Sequence, residues 1–300
     1  MRFRLNDRIG CPVLRKSPPS SSGSSLSARR TTDLLLPNAP DREALVARLR
    51  LAGCVFAEDE ADVLLSAATS QHDLEDMIRQ RVRGLPLEQI VGWAEFAGLR
   101  IGIEPGVFVP RQRTLLLLRH ALRLAPAQPV VVELCCGSAA VSLALASRLQ
   151  GVELYATDID PAAVRCARRN FVDVTPPAAV FEGDLYDPLP PSLSGRVDLL
   201  LANAPYVPTE SIALMPPEAR LYEPRVALDG GADGIDVHRR IAASATHWLA
   251  PHGHLLVETS RNQAAGSVTA FERYGLVAHV VSSDELDATI VIGRPATAHL

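Results

Sequence analysis

Two hydrophobic regimes divide this chain. Between residues 41 and 83 apolar side chains recur at helical spacing, whereas past Pro126 short continuous apolar runs alternate with amphipathic stretches. In the first regime Asp41 reads as an N-cap, Leu45, Val46 and Leu49 share a face, and Gly53 ends the helix. A second helix is predicted over about 58–68, with Val63, Leu64 and Ala67 inward. A third is predicted over about 72–83, with Leu74, Ile78 and Val82 at helical spacing. Helices this short hold only by packing on one another and on something else. The stretch 84–93 then bridges to 95–103, which reads as a strand. A Pro105-Gly106 turn and Val107-Phe108-Val109 follow, predicting a β-hairpin linker. Residues 110–114 open another helix, at about 112–124.

In the second regime strands are predicted at about 130–134, 152–157, 179–182, 197–202, 254–258, 276–282 and 288–293. Helices fall between them at about 138–149, 161–171, 234–249 and 261–274. Strand alternating with helix is the pattern of an α/β domain, a largely parallel sheet covered by helices. The expected division is a tail at 1–40, a helical domain at 41–92, the hairpin linker at 93–110 and the sheet domain at 111–300. The tail contains Ser-Pro-Pro-Ser-Ser-Ser-Gly-Ser-Ser and little apolar periodicity, which reads as disorder. Its Arg- and Ser-rich, acid-poor character also matches a transit peptide, although no amphipathic helix stands out.

Charge narrows the partners. The first thirty residues carry a formal +6, so the remaining 270 carry −10. A body this acidic lacks the clustered Lys and Arg of a broad nucleic-acid footprint. No apolar run approaches eighteen residues, so no membrane-spanning helix is expected. Five cysteines without zinc-type spacing read as free thiols of a reducing compartment. His252 and His254 flank Gly253 after Pro251, a turn signal without a third ligand, so no metal is expected.

The chemistry gathers at strand ends. Val197-Asp-Leu-Leu-Leu-Ala reads as a buried strand that stops at Asn203-Ala204-Pro205-Tyr206, because Pro205 cannot continue a ladder. In open α/β sheets that carboxyl edge is where ligands bind. Glu133-Leu-Cys135-Cys136-Gly137-Ser138-Ala139 leaves the first sheet strand and opens a helix, a small-residue turn that lets a ligand approach backbone N–H groups. Glu133 is placed to hold a cationic group above the strand end. Asp158 ends the second strand about twenty residues on, placed to accept two ribose hydroxyls. Asp160 before Pro161 reads instead as a helix cap. Asp184 falls where an adenine ring would lie, with Leu185 and Tyr186 next to it. Glu258 reads either as functional or as an exposed strand terminus.

Asn203-Ala204-Pro205-Tyr206 resembles the Asn-Pro-Pro-Tyr motif of methyltransferases acting on planar nitrogens. With Gly84-Leu-Pro-Leu-Glu-Gln-Ile-Val-Gly, Glu95-Phe-Ala-Gly-Leu, Val109-Pro-Arg111 and Tyr222-Glu-Pro-Arg-Val-Ala-Leu before Gly230-Gly-Ala-Asp-Gly, it is similar to the HemK/PrmC family of N(5)-glutamine methyltransferases. The resemblance spans about 41–294. It implies a class I (Rossmann-like) sheet of seven strands whose last strand is antiparallel, with a small N-terminal helical domain and a hairpin. It implies S-adenosylmethionine contacts at Cys135, Cys136, Gly137, Ser138, Ala139, Asp158, Leu185 and Asn203. It implies substrate glutamine contacts at Asn203, Ala204, Pro205 and Tyr206, the glutamine lying in the Gly-Gly-Gln loop of peptide-chain release factors. A cytoplasmic, bacterial monomer is expected, with the mitochondrial matrix as the alternative.

Three departures stand out. Cys-Cys-Gly-Ser-Ala replaces Gly-Thr-Gly-Ser/Thr-Gly, Ala204 replaces a Pro, and Gln112-Arg-Thr-Leu115 replaces Pro-acid-Thr-Glu. Two other readings fit the same residues: N(6)-adenine methylation of nucleic acid, and a binding protein that kept the sheet but lost turnover at Cys135-Cys136.

Overall fold

The computed structural model describes residues 41–175 and 178–296, so the tail expected at 1–40 lies outside the described residues. The first helices, α1 (Arg42–Leu51), α2 (Ala57–Ala67) and α3 (Gln71–Val82), follow the apolar spacing closely. The Asp41 side chain accepts from the Glu43 N–H and Ser70 caps α3 through the Asp73 N–H. Leu45, Leu49, Leu64, Leu74 and Ile78 make their common core, each such side chain contributing roughly 1.5–3 kcal/mol of burial. Val82 departs from the expected inward set and is exposed, because α3 turns Arg81 inward instead.

The linker is built differently from the sequence expectation. A short helix, α4 (Leu87–Val91), occupies the stretch read as a bridge. The hairpin pairs β1 (Trp93–Phe96) with β2 (Leu99–Gly102), turning at Ala97-Gly98 and not at Pro105-Gly106. Both turn residues have positive φ (54° and 78°), the geometry whose twist matches that of paired strands. Val107–Val109 form no strand. Gln89 of α4 secures that segment: its Nε2 donates to the Val107 carbonyl (3.1 Å) and its Oε1 accepts from the Gly106 N–H (3.4 Å).

A 3-10 turn (Gln112–Thr114) leads into α5 (Leu115–Leu124). The remainder alternates β3 (Val130–Leu134), α6 (Ala140–Ala146), β4 (Glu153–Asp158), α7 (Pro161–Asn170), β5 (Ala179–Glu182) and β6 (Val197–Ala202). After α8 (Pro217–Tyr222) come α9 (Asp236–Trp248), β7 (Leu249–Thr259), α10 (Ala264–Arg273), β8 (Leu276–Ser283) and β9 (Ala288–Pro295). The seven sheet strands stand in the order β5-β4-β3-β6-β7-β9-β8; β9 inserts antiparallel to both neighbours and the strands from β5 to β7 are parallel. This is the class I fold of S-adenosylmethionine methyltransferases. β7 begins five residues before the expected 254, and its pairing with β6 slips between Val197 and Leu199.

Both faces of the sheet are apolar. Val131, Leu199, Leu201, Leu256 and Ile290 pack under α5 and α6, while Val132, Leu200, Ala202, Leu255 and Val291 pack under α9. That is why β6, after its early Asp198, reads as a continuous apolar run and not as an alternation.

Candidate active site

From β3 the strand order runs one way to β4 and β5 and the other way to β6 and β7. The loops leaving β3 and β6 therefore diverge, opening a crevice at the carboxyl edge. The cleft there spans about 1350 Å³, its open mouth and the solvent in it included. Its wall includes Glu133, Cys135, Cys136, Gly137, Ser138, Asp158, Asp184, Leu185, Asn203, Ala204, Pro205 and Tyr206. Ala139 is fully buried behind the loop and is not on the wall.

The turn after β3 is bent by three left-handed residues, Cys135 (φ 53°), Gly137 (55°) and Ala139 (58°). These are the three positions where the resembling family carries Gly. Cys and Ala hold the conformation at roughly 1–2 kcal/mol each, the usual penalty for a Cβ there. The turn is braced from outside: the Cys136 N–H donates to the Thr157 carbonyl (3.0 Å), and Asn170 Nδ2 donates to the Ser138 carbonyl (2.9 Å). Asn170 Oδ1 also accepts from the Gly102 N–H (2.9 Å), tying the hairpin to the turn.

Two carboxylates shape the cleft's floor. Glu133 Oε2 accepts from the Ser142 N–H (2.9 Å), capping α6, which has no cap of its own. Burial pushes the Glu133 carboxyl up to about 7 despite that bond. Asp158 accepts from the Gly137 N–H through Oδ2 (2.8 Å) and from the Asp160 N–H through Oδ1 (2.9 Å). Burial raises it too, and these bonds oppose the rise. Each of its oxygens has a second lone pair, so the loop bonds leave room for hydroxyl donors. Asp160 caps α7 through the Ala162 N–H (2.8 Å).

The adenine-side residues separate. Leu185 lines the cleft at φ 48°, its carbonyl held by the Thr157 hydroxyl (2.8 Å). Asp184 lines it as well, paired with Arg240 (2.6 Å). Tyr186 turns away: its ring stacks on Trp248 and its hydroxyl donates to the Ile241 carbonyl (2.7 Å).

On the far side stands the loop after β6. Asn203, on the cleft wall, donates from Nδ2 to Thr114 Oγ1 (3.2 Å), and its Oδ1 takes part in no hydrogen bond among the described residues. The Ala204 carbonyl takes part in no hydrogen bond among the described residues. The Tyr206 hydroxyl donates to Glu258 Oε1 (3.2 Å), and the Tyr206 phenol is pushed up by burial and by that carboxylate. Glu258 is 1% exposed, so its reading as an exposed strand terminus fails; β7 ends buried, against Tyr206 of the cleft wall.

A second loop clamps this one. The Val207 N–H donates to the Leu228 carbonyl (3.0 Å), the Gly230 N–H to the Val207 carbonyl (2.9 Å) and Gln263 Nε2 to the Tyr206 carbonyl (2.7 Å). Glu223 is likewise buried on the wall, accepting from Arg111 (2.5 Å) and from the Val109 N–H (3.4 Å). The sequence named Val109-Pro-Arg111 and Tyr222-Glu-Pro only as resemblances; the fold makes them one ion pair. Thr114, Arg113 and Glu223 were missed as site residues because no local spacing links them to Asn203.

A family model described as "Methyltransferase small domain" matches residues 99–215. The chain is 36% identical to the release factor glutamine methyltransferase of Geobacter sulfurreducens over 72% of its own length and 75% of the relative's. It is 31% identical to the 4-amino-L-phenylalanine/4-methylamino-L-phenylalanine methyltransferase of Streptomyces pristinaespiralis, over 90% and 91% of the two chains. A methyltransferase from Pyrococcus furiosus shares the fold at 15% identity and a TM-score of 0.52, covering 74% of this chain and 99% of that one.

Proposed function

This chain belongs to the release factor glutamine methyltransferase family, and on that premise we propose that it methylates the side-chain amide nitrogen of the glutamine in the Gly-Gly-Gln loop of peptide-chain release factors. The observation that carries this reading is the pair of oxygen acceptors at the cleft, Asn203 Oδ1 and the Ala204 carbonyl. A glutamine amide nitrogen is a poor nucleophile because its lone pair is delocalised into the carbonyl. Two acceptors, one for each N–H, hold that nitrogen in a single orientation and stabilise positive charge as it develops there. Such alignment is worth on the order of 7–11 kcal/mol.

S-adenosylmethionine, when bound, supplies a methyl group made electrophilic by a sulfonium. The residues present fit it. The left-handed turn at 135–139 and Asp158 suit the nucleoside, and Glu133, a buried carboxyl pushed up to about 7, is short of a cationic partner on the cleft side. Tyr206 and Pro205 wall the acceptor subsite and keep water from competing for Asn203.

For this activity the chain divides into a helical part (41–92), a linker (93–110) and the methyltransferase part from 111, working as a monomer in the cytoplasm. Among the described residues no helix is long and apolar enough to cross a membrane. The test is incubation with methyl-labelled S-adenosylmethionine and a purified release factor, with the label mapped by mass spectrometry. One methyl on the Gly-Gly-Gln glutamine is expected, and an unlabelled loop overturns the reading. A parallel arm with 4-amino-L-phenylalanine separates it from the reaction named for the Streptomyces relative.

A further inference from the structure

Asn is a poor residue for a helix, because its short amide competes for backbone groups nearby. At Asn170, the last residue of α7, that amide is turned on two other segments instead. Its Oδ1 accepts from the Gly102 N–H (2.9 Å), and its Nδ2 donates to the Gly102 carbonyl (3.0 Å) and to the Ser138 carbonyl (2.9 Å). One carboxamide thus joins the end of β2 in the hairpin to the turn after β3. These partners also settle its direction. The reverse would set NH2 against an N–H and an oxygen against two carbonyls.

Ser138 stands between Gly137 and Ala139, both left-handed (φ 55° and 58°). Ala139 bears a Cβ and adopts that conformation at a cost, so the turn keeps its shape only while it is held. The Cys136 and Gly137 N–H groups are held by the Thr157 carbonyl and by Asp158, on the β4 side. Among the described residues the Ser138 carbonyl has Asn170 as its one partner. Neither Asn170 nor Gly102 lines the cleft, so both act on it through the turn.

We propose that Asn170 is a positioning residue for the methyl donor: it holds the 135–139 turn in its binding shape and makes that shape depend on the hairpin. The inference rests on the reading that this turn receives S-adenosylmethionine, whatever the methyl acceptor. A turn already in its bound shape has less freedom to lose when the ligand arrives. Releasing the Ser138 carbonyl lets the turn populate other shapes, and affinity falls with the competent fraction. The hairpin enters through a close fit. A Cβ at Gly102 would lie 2.7 Å from Asn170 Oδ1, and Gly102 is not left-handed, so an alanine there disturbs that contact and little else.

The test is calorimetry of the full chain with S-adenosylmethionine and no release factor. Asn170→Ala should raise Kd about tenfold. Asn170→Asp still accepts from the Gly102 N–H but sets an oxygen against both carbonyls, and should weaken binding at least as much. Gly102→Ala should raise Kd several-fold in the parent and leave it unchanged in Asn170→Ala, where the oxygen it displaces is gone. With cofactor absent, hydrogen exchange at the Cys136, Gly137 and Ala139 N–H groups should quicken in Asn170→Ala while exchange across β6 and β7 does not. In steady state the KM for S-adenosylmethionine should rise by a larger factor than kcat falls. Parent-like affinity in folded Asn170→Ala, or an equal effect of Gly102→Ala in both backgrounds, overturns the inference. Exchange that quickens throughout the sheet also overturns it, since Asn170 would then serve global stability alone. If Asn170→Ala fails to fold, Gly102→Ala decides: parent-like affinity in it refutes the link. A parent that binds S-adenosylmethionine but leaves the release factor unlabelled refutes the proposed substrate and leaves Asn170 its role.

Discussion

At the scale of single residues, Asn203 and Glu133 of the cleft wall make separable predictions. Replacing Asn203 with Ala removes a transition-state acceptor, and kcat should fall roughly a hundredfold or more. S-adenosylmethionine affinity, measured by calorimetry, should barely change; turnover that survives the substitution would remove Asn203 from the chemistry. Glu133 makes the opposite kind of prediction. Its carboxyl rises from the ordinary 4.5 to about 7 through burial, so the folded protein favours the protonated form. The associated stability is fully present below pH 4.5 and is lost as pH rises through about 7, on the order of 3 kcal/mol in all. Urea unfolding of the ligand-free protein between pH 5 and 8 should show that decline, and Glu133→Gln should flatten it. Cofactor affinity should move the other way, strengthening as Glu133 ionises beside a cationic ligand. A parallel, flat pair of curves would place Glu133 outside the binding site.

Elements explain both what the sequence disclosed and what it withheld. β6 was legible because two covered faces force a continuous apolar run after Asp198, and α7 because Asp160-Pro161 is a cap followed by a first-turn proline. The hairpin was legible as a unit, but its turn was misplaced. Pro105-Gly106 carries the stronger turn signal, and only Gln89, seventeen residues before Gly106, shows that this segment is fastened by a side chain. Glu258 was ambiguous for the same reason, since nothing near it in sequence reveals its contacts with Tyr206 and Arg113. The Gly230-Gly231 loop is the sharpest case of a motif whose purpose needs coordinates. It backs the loop after β6 so closely that a Cβ at Gly230 would lie 2.8 Å from the Pro205 carbonyl oxygen and 2.5 Å from that of Gly234. Both neighbours there are backbone, so neither can swing aside. Gly230→Ala should therefore displace the loop carrying Asn203 and lower kcat about tenfold or more, since an ångström of misplacement is costly in an aligned reaction. Cofactor affinity should hold, because Asp158 and the 135–139 turn stand at the ends of β4 and β3 and not of β6. An unimpaired variant would show that the loop tolerates the push.

Across the whole molecule the sheet supplies the cleft, and an ion cluster centred on the buried Arg81 ties the helical part to α8. Arg81 of α3 grips Glu60 of α2 with two nitrogens (2.6 and 3.1 Å) and reaches Glu218 of α8 with a third (3.1 Å). The Arg81 side chain is 9% exposed and that of Glu60 12%, so this pair is screened far less than the surface pairs elsewhere. α8 continues into Tyr222, whose hydroxyl donates to the Arg83 carbonyl (2.9 Å), and then into Glu223 on the cleft wall. The cluster thus couples helical-part stability to the placement of the acceptor subsite. Arg81→Ala strands the Glu60 carboxylate without a partner, and removing one member of a buried pair costs about 3–5 kcal/mol. Replacing both, as Arg81→Met with Glu60→Leu, should recover most of that, because packed apolar atoms serve as well as a desolvated pair. Glu218 loses its anchor in either variant, so the KM for the release factor should rise in both while cofactor affinity stays constant. Urea denaturation and steady-state kinetics on the two proteins separate these effects: recovered stability with a persistently high KM assigns Arg81 to docking α8, and a KM that recovers with stability assigns it to the helical core alone.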